Sequence, residues 1–316
     1  MKAPFVIIPE LTAVAAAYQQ ANLIADQVLP RVFVGTEDFR YQKYSLAESF
    51  TVPETLVGRK SAPNQVEFTG TEVTDSTQDR GLDAPVPNKD SMQWAAARAA
   101  GQSRMPDPKL RATTQVTSLI HTAREARVAG LVFNPASYGT ANKLTLSGSA
   151  QWSDYANSNP QTDITTALDS MIMRPNKAVF GRAAWSRVSQ HPKIAAAVFK
   201  FGSTAGNVSR QAFADLFELE EVLVGDGWIN TAARGQPAAM VRLWGKHCTF
   251  MHQNMQADTQ FGVTFGFTAQ FGEIIAGEIV DSDIGLSGGV RVRVGERVKE
   301  LLTANDLGFG IFNCVA

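Results

Sequence analysis

The sequence predicts an α+β fold, and three observations carry that expectation. Residues 107–133 hold one long stretch of helical periodicity. From Phe39 to about Thr74 two alternating strands flank a long polar turn. The last quarter of the chain alternates apolar and polar residues with a period of two. At 316 residues the chain can build one large or two ordinary domains with ample core material.

Taken in order, residues 10–29 are predicted helical, with Leu11, Val14, Tyr18 and Ala25 on one face and Pro30 as the stop. Arg31-Val32-Phe33-Val34-Gly35 then extends. Marginal amphipathicity without a partner nearby in sequence makes this region an arm rather than a domain. In the hairpin, Phe39, Tyr41 and Lys43 alternate with Arg40, Gln42 and Tyr44, and Val66 and Phe68 mark the return strand. The intervening Pro53–Asn64 carries turn chemistry at both ends, and Asp75–Asp90 is rich in Asp, Pro, Gly and Ser. Two strands alone bury too little apolar area to stand free, so the hairpin needs a surface to lie on.

The long helix has Val116, Leu119, Ile120, Ala123 and Ala126 as its apolar stripe, with Arg124, Glu125 and Arg127 at the border. Asp107 is its expected cap, Pro108 its first residue, and Asn134-Pro135 its end. A second helix follows Asn159-Pro160, capped by Thr162 or Asp163 and burying Ile164, Ala167, Leu168 and Met171. Beyond Arg174-Pro175-Asn176 the elements shorten, which places a domain boundary near residue 175. Ala178-Val179-Phe180 reads as a strand, Ala183–Ser189 as a helix stopped near Pro192, and the stretch after Ser209 as a further helix. Glu221–Val224 reads as a strand. Phe261, Val263, Phe265 and Phe267, and then Val290, Val292 and Val294, supply the late strands.

Composition excludes several functions. With 44% hydrophobic and 19% charged residues the chain is globular. A net charge of −1 argues against a dedicated nucleic-acid binder and offers little resistance to self-association. Two cysteines, Cys248 and Cys314, without paired spacing, point away from a disulfide scaffold or zinc module and toward a reducing compartment. The apolar start is interrupted by Pro4 and Pro9, too short for a signal peptide, and no apolar run reaches the roughly 20 residues that span a bilayer. The expectation is a soluble, cytoplasmic chain.

Catalytic candidates are few. Gly285-Leu286-Ser287-Gly288-Gly289 matches the nucleophile elbow in letters, yet a strand pattern rather than a helix follows, and no histidine lies beyond His252. A glycine-rich turn accounts for it. His247, Cys248 and His252 lack a fourth ligand, and His247 and Cys248 on a strand would face opposite ways. His121 and His191 are isolated. No metal, cofactor or catalytic site is expected. Arg59 and Lys60 at the hairpin tip stand out instead, read either as a solvated basic loop or as a contact with an acidic patch on a neighbouring subunit.

The order of elements resembles the major capsid proteins of tailed bacteriophages, with their Hong-Kong-97-type fold. Ala21-Asn22-Leu23-Ile24-Ala25-Asp26-Gln27-Val28-Leu29-Pro30-Arg31-Val32-Phe33-Val34 is similar to the arm leading into their extended loop. Arg174-Pro175-Asn176-Lys177-Ala178-Val179-Phe180-Gly181, with Trp185 and His191-Pro192 following, resembles the entry to their axial domain. Leu219–Gly225 and the ending Gly308–Ala316 fit the same pattern. The resemblance spans nearly the whole chain and rests on order and spacing rather than on one motif.

The resemblance implies a subunit that assembles with itself into pentamers and hexamers of an icosahedral head enclosing double-stranded DNA. The implied parts are an N-terminal arm at 1–38, an extended loop at 39–90, a peripheral domain at 91–174 and 247–292, and an axial domain at 175–246 and 293–316. Tyr18, Arg59, Lys60, Arg124 and Arg127 are the expected intersubunit contacts. A portal, a separate scaffolding protein and a decoration protein are implied partners, DNA is held non-specifically, and no membrane is involved. Assembly is expected in the host bacterial cytoplasm, with the virion as destination. The other readings are an encapsulin-like compartment and an enzyme whose site has no recognisable motif.

Overall fold

The computed structural model describes residues 5–18, 23–43, 52–65, 71–101, 106–199, 206–233, 235–259 and 261–316. Among them, the chain opens with β1 (Val6–Ile7), α1 (Pro9–Ala17), α2 (Ala25–Val28) and β2 (Arg31–Val34). Next come β3 (Asp38–Lys43), β4 (Thr71–Ser76), β5 (Gln78–Pro87), α3 (Asn88–Ala99) and the 25-residue α4 (Pro108–Val132). β6 (Lys143–Thr145), α5 (Pro160–Ser170), β7 (Lys177–Gly181), α6 (Arg182–Val188), α7 (Pro192–Val198) and α8 (Arg210–Phe217) follow. Then come β8 (Glu221–Gly225), β9 (Trp228–Asn230), β10 (Met240–Arg242) and β11 (Cys248–Met251). The chain closes with β12 (Gly266–Phe271), β13 (Ile275–Asp281), β14 (Gly289–Leu302) and β15 (Gly308–Phe312).

Two sheets organise these elements, with the order β1-β13-β14-β12-β2 in one and β6-β15-β11-β7-β8 in the other. In the first, β5 lies antiparallel along β14 from Gly289↔Pro87 to Val298↔Gln78. The sequence reading assigns no strand within the Asp, Pro, Gly and Ser-rich stretch Asp75–Asp90, and the structure supplies one. Edge strands tolerate proline, so Pro85 and Pro87 do not prevent β5 from forming. One face of the second sheet packs in a core of Trp152, Ile164, Phe180, Trp185, Phe213 and Phe250, and the other, through Val179, Leu223, Met251 and Phe312, in a core with α4 and Trp244.

α4 follows the expected bounds. The Asp107 carboxylate accepts from the Lys109 amide at 2.8 Å, and Pro108 stands first, where its missing N–H costs nothing. Its inward face differs from the expected stripe: Leu119 is 58% exposed, while Arg124 and Glu125 are buried with Val116, Ile120 and Val128. Two charges replace aliphatic residues there because each finds partners inside. α5 buries Ile164, Ala167 and Leu168 as expected, but its cap position is Asn159 rather than Thr162 or Asp163. Pro192 starts α7 rather than ending a helix, with the His191 ring accepting from the Lys193 amide.

The arm folds against its own subunit. The predicted helix at 10–29 is two helices, α1 and α2. β1 pairs with β13, β2 runs parallel to β12, and Leu11, Ala15, Val28 and Leu29 are buried. Val66 and Phe68, expected in the return strand, lie outside the described residues, and β4 pairs with β3 from Asp38↔Ser76 to Lys43↔Thr71. The late period-two pattern begins its strand only at Gly266, because Gly262 turns the chain at φ +86°. The split expected between 292 and 293 falls inside β14, and β11 sits between β15 and β7.

Candidate assembly surfaces

Residues 52–65 form the most isolated described segment, and all fourteen are exposed. Its geometry is set locally. Ser61 N donates to Gly58 O at 3.0 Å, Leu56 N to a Glu54 carboxylate oxygen at 2.8 Å, and Asn64 Nδ2 to Glu54 O at 3.0 Å. These bonds close the tip on itself. Val52 and Leu56 are 92% and 82% exposed beside Arg59 and Lys60. Such side chains present apolar area and positive charge together, a combination suited to a protein surface with an acidic rim.

Two further elements are largely exposed. The β9–β10 ribbon is a separate two-stranded sheet, with Trp228, Met240 and Val241 about half exposed and Arg242 stacked over Trp228 at 4.3 Å. A ribbon of this size is marginal alone. α3 buries none of its twelve residues, although it carries Met92, Trp94 and an alanine run.

The five residues expected to meet neighbours divide sharply. Arg59 and Lys60 stand exposed on the tip. Tyr18 is half-buried and faces the His121 ring at 6.3 Å within the subunit. Arg127 donates to Glu300 Oε1 at 2.8 and 3.1 Å. Arg124 is 1% exposed; it binds Asp26, Leu29 O at 3.2 Å and Thr268 Oγ1 at 3.0 Å. The expectation for Arg124 is therefore corrected: its guanidinium is used within the fold, holding the arm to α4.

Around this joint lie residues that the sequence reading passed over. Arg31 bridges Asp26 at 2.8 Å and Glu296 at 2.6 Å. Burial raises the Asp26 carboxyl, but Arg124 and Arg31 more than offset this and hold it low. Glu125 accepts from the amides of Ile24 and Ala25 and from the Trp244 indole N–H at 2.5 Å. Burial nevertheless pushes its carboxyl up. The signal in sequence was a charged pair at the edge of a weak stripe, which spacing alone reads as surface.

The remaining chemical candidates have structural places. Ser287 lies in the turn between β13 and β14, where Gly285 and Gly288 have positive φ and Ser287 O accepts from Asn88 Nδ2 at 2.9 Å. His247 Nδ1 accepts from the Asn313 amide at 3.0 Å, and His252 Nδ1 donates to Arg174 O at 3.1 Å. Cys248 is buried beside Cys314. Among the described residues no three His, Cys, Asp or Glu side chains group as metal ligands, and no helix is long and apolar enough to cross a membrane.

No family model matches the chain. Among curated relatives it is 52% identical over 314 residues to the major capsid protein of Pseudomonas phage JBD67, covering 99% of each chain. It is 27% identical over 229 residues to the major capsid protein of Burkholderia phage BcepMu, covering 70% of this chain and 69% of that one. A phage-related protein from Bordetella bronchiseptica superposes with a TM-score of 0.73 at 24% identity, over 99% of this chain and 98% of the other. The capsid of cyanophage P-SCSP1u gives 0.58 at 9% identity, over 99% and 91%. At such identities the structural likeness speaks for the fold.

Proposed function

This chain belongs to the phage major capsid proteins, with their α+β Hong-Kong-97-type fold, and from that premise we propose that it builds an icosahedral head of pentamers and hexamers around double-stranded DNA. It is a structural component of the virion that assembles with itself, not an enzyme. The observation that carries the proposed geometry is the wholly exposed tip at 52–65, whose described hydrogen bonds close on itself. A neighbouring subunit supplies the surface it lacks. Each such contact can be weak, because a closed shell repeats it many times.

In this reading the sheet of β12–β14 with α4 is the peripheral domain, and the sheet of β7, β8, β11 and β15 with α5–α8 is the axial domain. The β9–β10 ribbon then contacts the next subunit within a ring. Arg59 and Lys60 meet acidic groups on the neighbour under the tip. A portal, a separate scaffolding chain and a decoration protein are the proposed partners, and the host bacterial cytoplasm is the proposed place of assembly. The near-neutral chain, at net charge −1, suits DNA that is held without sequence preference.

Negative-stain microscopy beside light scattering of the purified protein tests the proposal. Uniform hollow particles of closed symmetry are expected. A monodisperse monomer or dimer, unchanged when a scaffolding protein is co-expressed, would overturn it.

A further inference from the structure

Cys248 and Cys314 are 66 positions apart in sequence, yet their sulfurs lie 3.7 Å apart in the core of the second sheet. Local structure produces this meeting. Cys248 opens β11 opposite Ile311 of β15. After β15, Asn313 takes a left-handed turn at φ 54°, which returns the chain toward β11. The Cys314 backbone is then fixed at both groups: its N–H donates to Lys246 O at 2.9 Å, and its C=O accepts from Trp152 N at 2.7 Å. Its thiol donates to Ile311 O at 3.2 Å. Both sulfurs are fully buried.

We propose that Cys248 and Cys314 are a dormant disulfide pair: the folded subunit holds them as adjacent thiols, and a two-electron oxidant of the peroxide class joins them into a staple between β11 and the segment after β15. The sulfurs must approach from 3.7 Å to a bonded separation of about 2.05 Å, a movement within reach of side-chain rotation. Dormancy follows from burial, which pushes the Cys248 thiol up and disfavours the reactive thiolate. Access comes through local opening of residues 313–316. That segment is held from outside by Gln151 Nε2 on Asn313 O at 3.0 Å and Ala316 N on Ser153 Oγ at 3.1 Å.

The chemistry balances without a further reactant. One thiolate displaces hydroxide from hydrogen peroxide and becomes a sulfenic acid, and the hydroxide takes up the proton the thiol released. The second sulfur then displaces the sulfenic hydroxyl, which leaves as water with that sulfur's proton. Two thiols and one peroxide give one disulfide and two waters. A subunit folded in a reducing compartment would stay open to assembly and gain the staple only on meeting an oxidant.

The full-length protein, exposed to millimolar hydrogen peroxide while folded and then alkylated in denaturant, decides the matter by intact mass and peptide mapping. The expected product is about 2 Da lighter than the reduced chain, unalkylated at both cysteines, with a linked peptide pair containing Cys248 and Cys314. Its unfolding temperature rises by roughly 5 °C and falls back on reduction. Full alkylation of both thiols, sulfinic acid at either, or links between subunits would each sink the proposal. Cys314→Ser under the same treatment is expected to show no gain in unfolding temperature. The mass readout on the unaltered protein stands even if that variant packs differently.

Discussion

His191 is fully buried, with Nδ1 accepting from the Lys193 amide at 3.2 Å. The neutral ring therefore carries its proton on Nε2, which donates to Ser158 Oγ at 3.1 Å. Burial, then the Lys193 charge, pushes its pKa down to about 4 from an ordinary 6.5. Below pH 6.5 the unfolded chain takes up a proton that the folded chain refuses until about pH 4. Stability contributed here is therefore complete above pH 6.5 and declines toward pH 4. His191→Asn keeps a capping side chain, so it should lose less stability than the parent between pH 7 and pH 5, read as urea midpoints. Arg124 makes the complementary case. Arg124→Ala strips partners from Leu29 O, Thr268 and Asp26, and should cost about 3 kcal/mol in denaturant unfolding. The Asp107 cap was legible from one residue type before a proline; the burial of Arg124 was not, since its partners lie 95 and 144 positions away.

At the scale of elements, α4 and the 52–65 tip behave oppositely. α4 is determined by local signals at both ends, and Asp107→Ala should destabilise the subunit by about 1 kcal/mol without altering its assembly. The tip has turn chemistry but no described bond to the body of its subunit. Removing Pro53–Asn64 should leave a cooperatively unfolding subunit with parent-like circular dichroism and no stable shells by microscopy. Normal shells from that deletion would show that the tip makes no assembly contact. β5 was the element least legible in sequence. Its Asp, Gly and Pro content gives no strand signal, and only the ten-residue register with β14 turns it into a strand.

Across the whole molecule, Glu125 joins three parts that are distant in sequence. Its carboxylate on α4 receives two amides at the start of α2 and the indole of Trp244, just beyond β10. Three donors aimed at one acceptor couple the arm, the long helix and the segment between β10 and β11. Glu125→Ala leaves those donors unpaired and should cost about 3 kcal/mol. It should also speed amide exchange at residues 24–29 more than in β14. Uniform acceleration over both regions would instead mark Glu125 as a general stabiliser. The arm's placement on its own subunit explains why its sequence looked incomplete: Val28 and Leu29 bury in a cluster with Val128, Ala129 and Val132 of α4 and with Trp244, Met251 and Phe265, all distant in sequence.

By itself, the sequence determined the α+β class, the long helix with its cap and breaker, the strands around Ala178–Phe180 and Glu221–Val224, and the turn around Ser287. These depend on periodicity, capping and glycine or proline, which act within a few residues. The order of the elements also carried the family resemblance. Tertiary structure alone decided which strands share a sheet, that the arm lies on its own subunit, and that Arg124 and Glu125 point inward. Those outcomes depend on partners far along the chain, because burying a charge becomes tolerable only where distant groups converge to pair with it.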